Sequence, residues 1–249
     1  EVKYAEITSG ADQTQALAAG DVQVLYAVGA TSVILSAAND ADIKVLNMYS
    51  RSPKAFCMYS KDESISSPAD LRGKTIAGPV GTNLHELLAA YLATADMTVD
   101  DVNFVNMGIP EAKAGLEGGS VDVALLAGAA AYQTQQQGYH LITDGEGLIN
   151  AIIAVAVTNK FYEAHPEIIE KLQSAQAEIA DFMQNHEQEA YEMAAAELDL
   201  DVDAVKEMAQ HYDFSTEITA ADKDGFQRTA DFMYQAGMIE KELDVNTLF

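Results

Sequence analysis

The sequence predicts an α/β protein of two lobes, with mainly parallel sheets, a cleft between the lobes and a helical carboxyl-terminal third. Short apolar runs alternate with helical patterns up to residue 158, which is the order of a βαβ chain. Several runs are apolar at every position, which is typical of strands that are buried on both faces. A helix–glycine–strand–glycine pattern also occurs twice, which indicates two similar units.

The first part of the chain alternates between strands and helices. Residues 2–7 alternate weakly in hydropathy and predict a strand, after which Thr14, Leu17 and Ala18 share one face of a short helix. Gly20 follows that helix in the position of a left-handed C-terminal cap. We further expect strands at residues 22–26, 43–49 and 55–59, and a small-residue helix at residues 32–39.

A glycine turn at residues 78–81 connects a predicted strand at residues 74–77 to a helix that begins near Thr82 or Asn83, either of which could act as its N-cap. Such a junction leaves backbone N–H groups unpaired and places the positive end of a helix dipole at the end of a strand. It can therefore bind an anion or a polar ligand head without a charged side chain. The alternative is an ordinary turn in which Gly81 serves only the backbone.

Strands and helices continue to alternate after this turn. We expect strands at residues 102–105, 121–126, 139–142 and 152–158, and a helix at residues 110–116. Pro68 begins a short helical turn, because proline is favoured at the first helical position. From Phe161 the apolar spacing is helical almost to the end, so this third should pack on one lobe.

The repeated pattern links two distant segments of the chain. Residues 17–22 resemble residues 116–121, and the same shift (116 − 17 = 99) pairs Gly29 with Gly128 and Ala30 with Ala129. Coincidence is the alternative, since many α/β units share this pattern. Two similar lobes would each bring a glycine turn to the carboxyl end of a strand, where open α/β sheets bind ligands. Two such lobes facing each other would form a cleft.

The balance of charge limits the classes of partner. Lys and Arg number 14 against 39 Asp and Glu, for a net charge of −25, which argues against binding to nucleic acid or to an anionic membrane. The acidic residues are spread through amphipathic helices, as expected of a soluble surface. No apolar run reaches the ~18 residues that a membrane span needs. The single cysteine, Cys57, lies in an apolar run and is predicted to be a buried packing thiol.

Residues 15–24 with Gly29, residues 64–77 and residues 114–123 resemble motifs of ABC-transporter solute-binding proteins of the nitrate/taurine/sulfonate group, whose relatives also bind pyrimidine precursors of thiamine. Residues 15–24 (QALAAGDVQV), followed by Gly29, are similar to the family segment "aLaaGevDv". Residues 64–77 (SISSPADLRGKTIA) resemble its "I.s..DLkGKkia" motif, and residues 114–123 resemble its second "al..G.vDa" motif. The resemblance extends from about residue 2 to residue 160, and these motifs specify the fold better than the ligand.

The resemblance implies a type II periplasmic-binding-protein fold, in which two lobes are joined by two crossing strands and trap a ligand by hinge closure. Lobe one would comprise residues 1–57 and 156–249, and lobe two would comprise residues 58–155. The crossings would lie at residues 55–59 and 153–158. The family normally opens with a further strand and helix that carry a ligand-facing loop. Because they have no counterpart here, we expect part of one binding wall to lie upstream or to come from another molecule.

The function implied by the resemblance is that of the extracytoplasmic solute-binding component of an ABC importer, either periplasmic or anchored at the cell surface as a lipoprotein. We expect a monomer that captures a small polar or anionic organic molecule, sulfonate- or taurine-like or pyrimidine-like, and delivers it to a membrane permease. No catalysis, cofactor or nucleic-acid partner is expected. Two alternatives stay open: a cytoplasmic effector-binding regulator domain, and a pyrimidine-synthase-like enzyme on the same fold.

The candidate ligand-binding residues end strands or begin helices. They are Ser9, Gly10, Gly29, Ala30, Thr31, Tyr49, Ser50, Gly81, Thr82, Asn83, Glu111, Ala127 and Gly128. For Ser9 and Thr31 the alternative is a local turn or a helix cap, and for Glu111 it is an interaction with the helix dipole. Arg51 would suit a carboxylate or sulfonate, although an exposed loop arginine is the favoured interpretation.

Other conspicuous residues are better explained by structure than by chemistry. Phe56 and Tyr132 are candidate aromatic walls, with core packing favoured for both. His85 and Glu86 would begin a zinc-protease motif, but Ala89 stands where the second histidine is needed. The sequence contains no Cys/His cluster, no nucleophile elbow and no P-loop lysine. It therefore predicts neither a catalytic residue nor a metal ligand.

Overall fold

The protein folds around two separate β-sheets, as seen in a computed structural model that describes residues 2–249. The strands are β1 (Val24–Gly29), β2 (Lys44–Arg51), β3 (Phe56–Ser60), β4 (Thr75–Gly78), β5 (Asn103–Asn106), β6 (Val123–Ala127), β7 (His140–Asp144) and β8 (Ile152–Val157). The α-helices are α1 (Gly10–Ala19), α2 (Ala30–Ala38), α3 (Asn83–Ala93), α4 (Ile109–Gly118), α5 (Gly128–Gln136), α6 (Asn159–Ala164), α7 (Pro166–Asn185), α8 (Glu187–Leu198), α9 (Val202–Ala209) and α10 (Ala220–Gln235). Short 3-10 turns lie at Pro53–Ala55, Pro68–Leu71, Val99–Asp101 and Val245–Leu248.

The first sheet has the strand order β1-β8-β2, and β8 is antiparallel to both of its neighbours. Every residue of β8 is apolar and almost all of them are buried, as expected for a central strand covered on both faces. Helices α2 and α10 cover this sheet, and their apolar side chains join the strands in one core. The largest of these side chains are Phe226, Met48 and Ile34, each fully buried.

The second sheet has the strand order β5-β4-β6-β3-β7. Strand β4 runs parallel to β5 and β6, whereas β3 is antiparallel to both β6 and β7. The amphipathic spacing of α3 places Leu84, Leu87 and Leu88 in the core on one face of the sheet. Helices α4 and α5 pack with Tyr59 and Leu126 in a second cluster.

The predicted α/β class is confirmed, but the expectation of mainly parallel sheets is wrong in detail. Four of the six strand pairs are antiparallel. The chain enters the second sheet from the first through β3, and it returns to the first sheet through β8. Each of these two strands runs antiparallel to its neighbours in the sheet that it enters. A continuous apolar run reports burial on both faces and not strand direction, so the sequence pattern did not distinguish the two cases.

The chain passes between the sheets twice, from β2 to β3 through Pro53–Ala55, and from β7 back to β8. The two connections are hydrogen-bonded to each other. Ser52 N–H donates to the Ala151 carbonyl at 3.3 Å, and Gly145 N–H donates to the Pro53 carbonyl at 3.2 Å. The connections between the sheets therefore form one paired strip of backbone, just before the predicted crossings at residues 55–59 and 153–158.

The sequence repeat corresponds to repeated structure. Helices α1 and α4 begin and end at the same shift of 99 residues, and strands β1 and β6 begin at that shift. Gly20 and Gly119 close the two helices with left-handed conformations, at φ values of 83° and 74°. Glycine is needed there because other residues pay a steric penalty at positive φ. In both copies the strand leads directly into a helix, α2 or α5.

The remaining predicted elements are confirmed with shifts of one to four residues at their ends, with one exception. The segment of residues 2–7, predicted as a strand, has no regular secondary structure and most of its side chains are exposed. Weak alternation alone did not suffice, since a strand also needs a partner along its edge. None of the helices within residues 2–249 is long and apolar enough to cross a membrane.

Candidate ligand-binding site

The glycine turn between β4 and α3 has the predicted geometry. Gly81 has a φ of 75°, which favours glycine, and α3 begins two residues later. Thr82 occupies the N-cap position, but its hydroxyl donates to the Pro79 carbonyl at 2.8 Å instead of capping the helix. The Gly81 N–H donates to His85 Nδ1 at 3.2 Å. The prediction that Thr82 or Asn83 acts as N-cap is confirmed for the position of Thr82, although its side chain does not cap the helix. Two amides of the turn are satisfied internally, since the Val80 N–H also donates to Asn106 Oδ1 at 3.0 Å.

The predicted residues around this turn form the contact between α2 and α3. The hydroxyl of Ser32 donates to the Gly81 carbonyl at 2.9 Å. Asn83 Oδ1 accepts from the Thr31 N–H at 3.2 Å and from the Thr31 hydroxyl at 2.8 Å. Thr31 and Asn83 are almost fully buried. Their polar groups satisfy one another in this closed arrangement, so contact with a ligand would require α2 and α3 to separate.

Two glycines allow this close contact. A Cβ atom on Gly29 would lie 2.8 Å from Asn83 Oδ1, and one on Gly10 would lie 2.5 Å from Ser32 Oγ. Real Cβ atoms do not approach other atoms so closely, so a side chain at either position would require the Asn83 or Ser32 side chain to move out of this contact. Ser9, next to Gly10, precedes α1 as its N-cap residue, and Ala30 at the start of α2 is buried in the core.

The predicted residues of β2 lie away from this contact. Tyr49 packs edge-on against Tyr26 and Phe214, with ring centroids 5.4 and 6.1 Å apart. Ser50 is buried, and its hydroxyl has no hydrogen-bond partner within residues 2–249. The favoured interpretation of Arg51 as an exposed loop arginine is wrong, because its guanidinium forms an internal ion pair.

Glu111 and Ala127 are the remaining candidate ligand-binding residues, apart from Gly128. Glu111 is exposed in the first turn of α4, where its side chain folds back over Gly108. Ala127 ends β6 and is the N-cap residue of α5, and no side chain within residues 2–249 caps that helix. The N-terminus of α5 opens onto a cavity, because Gly128 is part of the cavity wall.

This cavity has a volume of about 140 Å³ and lies between the second sheet and the segment that follows α9. Its wall is formed by residues of β3 and the preceding turn, of α5, and of α9 with the segment after it. These are Lys54, Ala55, Cys57, Tyr59, Gly128, Ala131, Tyr132, Gln135, Glu207, Met208, His211 and Tyr212. Of the candidate ligand-binding residues, Gly128 lies in this wall, and so does Tyr132, the candidate aromatic wall.

Neutral hydrogen-bonding groups dominate the inner wall of the cavity. Burial raises the pKa of the Cys57 thiol to about 12 and that of the Tyr212 phenol to about 12, and it also raises the pKa of Tyr59. The predicted packing role of Cys57 agrees with its burial as a free thiol. The Cys57 thiol already donates to the Lys54 carbonyl at 3.4 Å. The cavity therefore offers the protonated Tyr212 hydroxyl beside a helix N-terminus, which suits a ligand head that accepts hydrogen bonds.

One ion pair and one hydrogen bond lie at the outer wall of the cavity. Lys54 Nζ lies 3.1 Å from a carboxylate oxygen of Glu146. The Tyr132 hydroxyl donates to Glu207 at 3.2 Å and so connects α5 to α9 across the wall. Both contacts are solvent-exposed and therefore weak. The outer wall can open without breaking a buried interaction.

Long-range backbone pairing brings Tyr212 to the cavity. The N–H groups of Arg51 and Asp213 each donate to the other residue's carbonyl at 2.9 Å, which fixes the segment after α9 along β2. Tyr212 stacks on Phe214 with centroids 5.3 Å apart and an interplanar angle of 4°. Its hydroxyl would lie 3.7 Å from a Cβ atom on Gly128. Sequence patterns gave no signal for this, since Met208 and Tyr212 have the helical spacing of core residues.

The described residues hold no obvious metal centre. Across residues 2–249, no three His, Cys, Asp or Glu side chains are grouped so that they could hold a metal ion. The cavity contributes one cysteine, one histidine and one glutamate to its wall, and the burial of Cys57 keeps its thiol protonated. The arrangement supports binding by hydrogen bonds and shape.

Comparisons with known proteins agree with one another. The family model described as NMT1/THI5-like matches residues 1–190. A Bacillus subtilis protein named for binding aliphatic sulfonates is 26% identical over 249 residues, which cover 98% of this chain and 75% of that protein. The taurine-binding periplasmic protein of Escherichia coli is 29% identical over 172 residues, which cover 68% of this chain and 53% of that protein.

Solved structures share the fold. The alkanesulfonate-binding protein SsuA from Xanthomonas axonopodis pv. citri, bound to MOPS, superposes with a TM-score of 0.90 at 20% identity, covering 100% of this chain and 87% of that one. The desulfurization enzyme DSZB superposes with a TM-score of 0.67 at 16% identity, covering 89% of this chain and 81% of that one. The two-sheet architecture is thus found in binding proteins and in an enzyme.

Proposed function

The chain belongs to the NMT1/THI5-like family, and we propose that it is the extracytoplasmic solute-binding component of an ABC importer. The curated relatives of this family that match almost the whole chain are named for sulfonate binding. By this proposal the protein captures a small polar or anionic organic molecule and delivers it to a membrane permease. A short-chain sulfonate, including the zwitterion taurine, is the first candidate.

The observation that carries the proposal is the cavity at the start of α5. It lies between elements of the second sheet and the Tyr212 segment, which pairs with β2 of the first sheet. A ligand there would contact both halves of the molecule, which is what capture by hinge closure requires. The uncapped N-terminus of α5 and the Tyr212 hydroxyl would bind an anionic head, and Ala55, Ala131 and Met208 would contact its apolar part.

The predicted lobes fit this scheme. We propose two lobes as predicted, with the boundaries moved from residues 57 and 155 to the ends of the sheets, because β3 belongs wholly to the second sheet and β8 wholly to the first. Lobe one would comprise residues 2–51 and 152–249 and lobe two residues 56–144, with the paired strip of residues 52–55 and 145–151 as the hinge. Opening at this hinge would expose Thr31, Gly81, Thr82 and Asn83 to the cleft. In that state they could contribute to ligand binding, as predicted for the glycine turns.

Binding is favoured over catalysis by the state of the cavity thiol. Because burial raises the pKa of Cys57 to about 12, almost none of it is thiolate near neutral pH. A cysteine nucleophile needs a lowered pKa, and the Lys54 ammonium and the start of α5, both in the cavity wall, do not offset the effect of burial on Cys57. The regulator alternative is disfavoured by the net charge of −25, which would oppose an attached DNA-binding function.

The cellular setting is part of the same proposal. We infer an extracytoplasmic location, with lipoprotein anchoring and a monomeric state as its finer features. Fractionation of cells that express the whole gene, with detection of lipid attached to an upstream cysteine, tests the anchor. Recovery in the cytoplasm would contradict the importer function, and size-exclusion chromatography with light scattering tests the monomer.

A thermal-shift panel tests the ligand. We expect taurine or ethanesulfonate at a hundred times its dissociation constant to stabilise the protein by about 2.7 kcal/mol, because it binds only the folded state. For a chain of this size that corresponds to about 5–10 °C. Each sulfonate is paired with a carboxylate of similar shape, β-alanine for taurine and propionate for ethanesulfonate. The absence of a shift with every sulfonate, at concentrations up to 10 mM or so, would contradict the proposed substrate class.

A further inference from the structure

A buried carboxyl group lies at the contact between the two halves of the molecule. Glu86 is on α3, which packs against the second sheet, and it is 4% exposed. Its two oxygens contact helices that cover the first sheet: Oε2 lies 2.5 Å from the hydroxyl of Thr31 on α2, and Oε1 lies 3.0 Å from the hydroxyl of Thr229 on α10. Glu86 thus joins three helices at one point.

The position of one proton follows from the backbone. The Thr31 N–H and the Ile152 carbonyl fix the amide of Asn83, with Oδ1 towards Thr31 at 3.2 Å and Nδ2 towards Ile152 at 3.4 Å. Asn83 Oδ1 is therefore an acceptor, and it lies 2.8 Å from the Thr31 hydroxyl. The Thr31 hydroxyl has one proton, and the contact with Asn83 uses it. The proton in the 2.5 Å contact must then belong to Glu86.

The other oxygen of Glu86 is oriented from the opposite side. Arg228 Nη2 donates to Asn150 Oδ1 at 3.1 Å, which directs Asn150 Nδ2 towards the Thr229 hydroxyl at 3.5 Å and the Gly225 carbonyl at 3.3 Å. The Thr229 hydroxyl accepts from Asn150 and donates to Glu86. Glu86 consequently accepts a hydrogen bond on one oxygen and donates one from the other, as a neutral carboxylic acid does.

Within residues 2–249, no Lys, Arg or His forms an ion pair with Glu86 or contributes to the shift of its pKa. Helix α2 has no titratable residue, and Arg228 on α10 reaches the network only through Asn150. His85, the neighbouring residue on α3, packs against Phe104 and has its pKa lowered by burial, so it stays neutral near pH 7. Burial, the largest cause, raises the pKa of Glu86, and the hydrogen bond that Thr229 donates lowers it by less.

We propose that Glu86 is a neutral carboxylic acid whose hydrogen bonds hold α2, α3 and α10 together, and that loss of its proton weakens the contact between these helices and so between the two sheets. Ionisation would turn the Thr31 hydroxyl towards Glu86 and leave Asn83 Oδ1 without its proton. It would also leave a buried charge with no partner, which drives hydration of the site. The conformation of the protein is thereby linked to pH. The inference does not depend on solute capture, since every test below uses the ligand-free protein.

The pH dependence of unfolding tests the protonation state. Urea unfolding is measured from pH 5 to pH 9 for the wild type, for Glu86→Gln, whose amide can both donate and accept, and for the exposed control Glu170→Gln. Above the ordinary glutamate pKa of about 4.3, the folded state holds a proton that the unfolded state has lost. Stability therefore falls as pH rises, until the folded pKa is passed. The unfolding constant of the wild type should rise up to tenfold per pH unit relative to Glu86→Gln, while Glu170→Gln follows the wild type.

Parallel pH profiles for the wild type and Glu86→Gln would overturn the proposal. If Glu86→Gln fails to fold, carbon-13 NMR of the wild type labelled in glutamate side chains decides instead. One carboxyl signal should keep its protonated position at pH 7, and a full set of carboxylate signals would refute a neutral Glu86.

The contact between the three helices is tested by small-angle scattering: the radius of gyration should increase for the wild type at high pH and stay constant for Glu86→Gln. An unchanged radius in the wild type above its carboxyl titration would refute the loosening.

Discussion

Arg51 at the end of β2 binds Asp222 on α10 through two parallel hydrogen bonds, Nε to Oδ1 at 2.5 Å and Nη2 to Oδ2 at 2.6 Å. The same guanidinium donates to the carbonyls of Ser215 and Glu217 at 2.8 and 2.9 Å. It therefore ties the segment that leads from the cavity to α10 onto the first sheet. An arginine that could have served a ligand is used to hold Tyr212 and its neighbours in place.

Removing this guanidinium should destabilise the fold. Arg51→Met would leave Asp222, which is 3% exposed, as a buried charge without its partner, and the expected loss is about 3 kcal/mol. The control is Arg72→Met, because the Arg72–Asp101 pair is much more exposed and should be worth less than about 1 kcal/mol. Urea unfolding at pH 7 measures both. Equal losses in the two variants would show that burial does not set the strength of the Arg51 pair.

The Arg51–Asp222 pair should also give a signature in acid. Burial on its own would raise the pKa of Asp222, but hydrogen bonds from Arg51 and Thr219 outweigh it and hold the pKa below its ordinary value. A carboxyl with a lowered folded pKa stabilises the protein above its unfolded pKa of about 3.9 and loses that effect as pH falls through the folded value. The difference between wild type and Arg51→Met should therefore shrink below pH 4. A difference that is constant from pH 7 to pH 2 would contradict this.

The cavity thiol should be unreactive in the folded protein. With its pKa raised to about 12 by burial, Cys57 is almost entirely protonated at pH 8, and the thiolate is the reactive form. Alkylation by iodoacetamide should be at least about a hundredfold slower than in protein unfolded by urea. Mass spectrometry of quenched samples follows the reaction. Comparable rates in the two states would show that the cavity is open and that Cys57 is ionised more easily.

A side chain at Gly81 should destabilise the glycine turn. Gly81 and Gly20 both have positive φ values, so alanine at either costs about 1 kcal/mol of backbone strain. A Cβ on Gly81 would also lie 2.7 Å from Leu35 Cδ2, whereas one on Gly20 has no atom within 4 Å among the described residues. We expect Gly81→Ala to lower the free energy of unfolding by about 1–2 kcal/mol more than Gly20→Ala does. Equal effects in thermal unfolding would mean that α2 and α3 do not pack as closely as described.

The Tyr212 hydroxyl should contribute directly to ligand affinity. Its pKa of about 12 keeps it a donor at every working pH, and Tyr212→Phe removes that donor while keeping the ring that stacks on Phe214. A hydrogen bond to a charged head is worth about 1.5–3 kcal/mol, so the affinity for ethanesulfonate should fall tenfold or more. The control is Tyr162→Phe, at a half-exposed ring on α6. Unchanged affinity by titration calorimetry would move the binding site away from this cavity.

Much of the fold could be predicted because it depends on local periodicity. The alternation of apolar runs and helical patterns identified seven of the eight strands within a few residues, and both copies of the repeated unit. The eighth strand, β4, was identified from its place before the glycine turn. The resemblance to a family was carried by short motifs around Gly20 and Gly73, where a glycine ends a helix or a turn. The strand at residues 2–7 failed because periodicity does not report whether a neighbouring strand is present.

The candidate site was harder to predict, because its parts come from distant segments. The glycine turn was recognised from sequence, yet Thr31 and Asn83, 52 residues apart, satisfy each other's polar groups in the closed molecule. Tyr212 reaches Gly128 only because the segment after α9 pairs with β2. The pattern of the carboxyl-terminal third could not show this, since a core aromatic and a cavity aromatic have the same helical spacing.

The sequence by itself determined the α/β class, the order of its elements, the repeat of helix, glycine and strand, and the charge that argues against nucleic acid. These properties depend on residues that are neighbours along the chain or on composition. The tertiary structure alone decided strand direction, the partner of Arg51, the location of the cavity and the proton of Glu86. Each of these depends on which groups from separate segments of the chain meet in space, where burial determines whether a polar group binds a ligand, a neighbour or a proton.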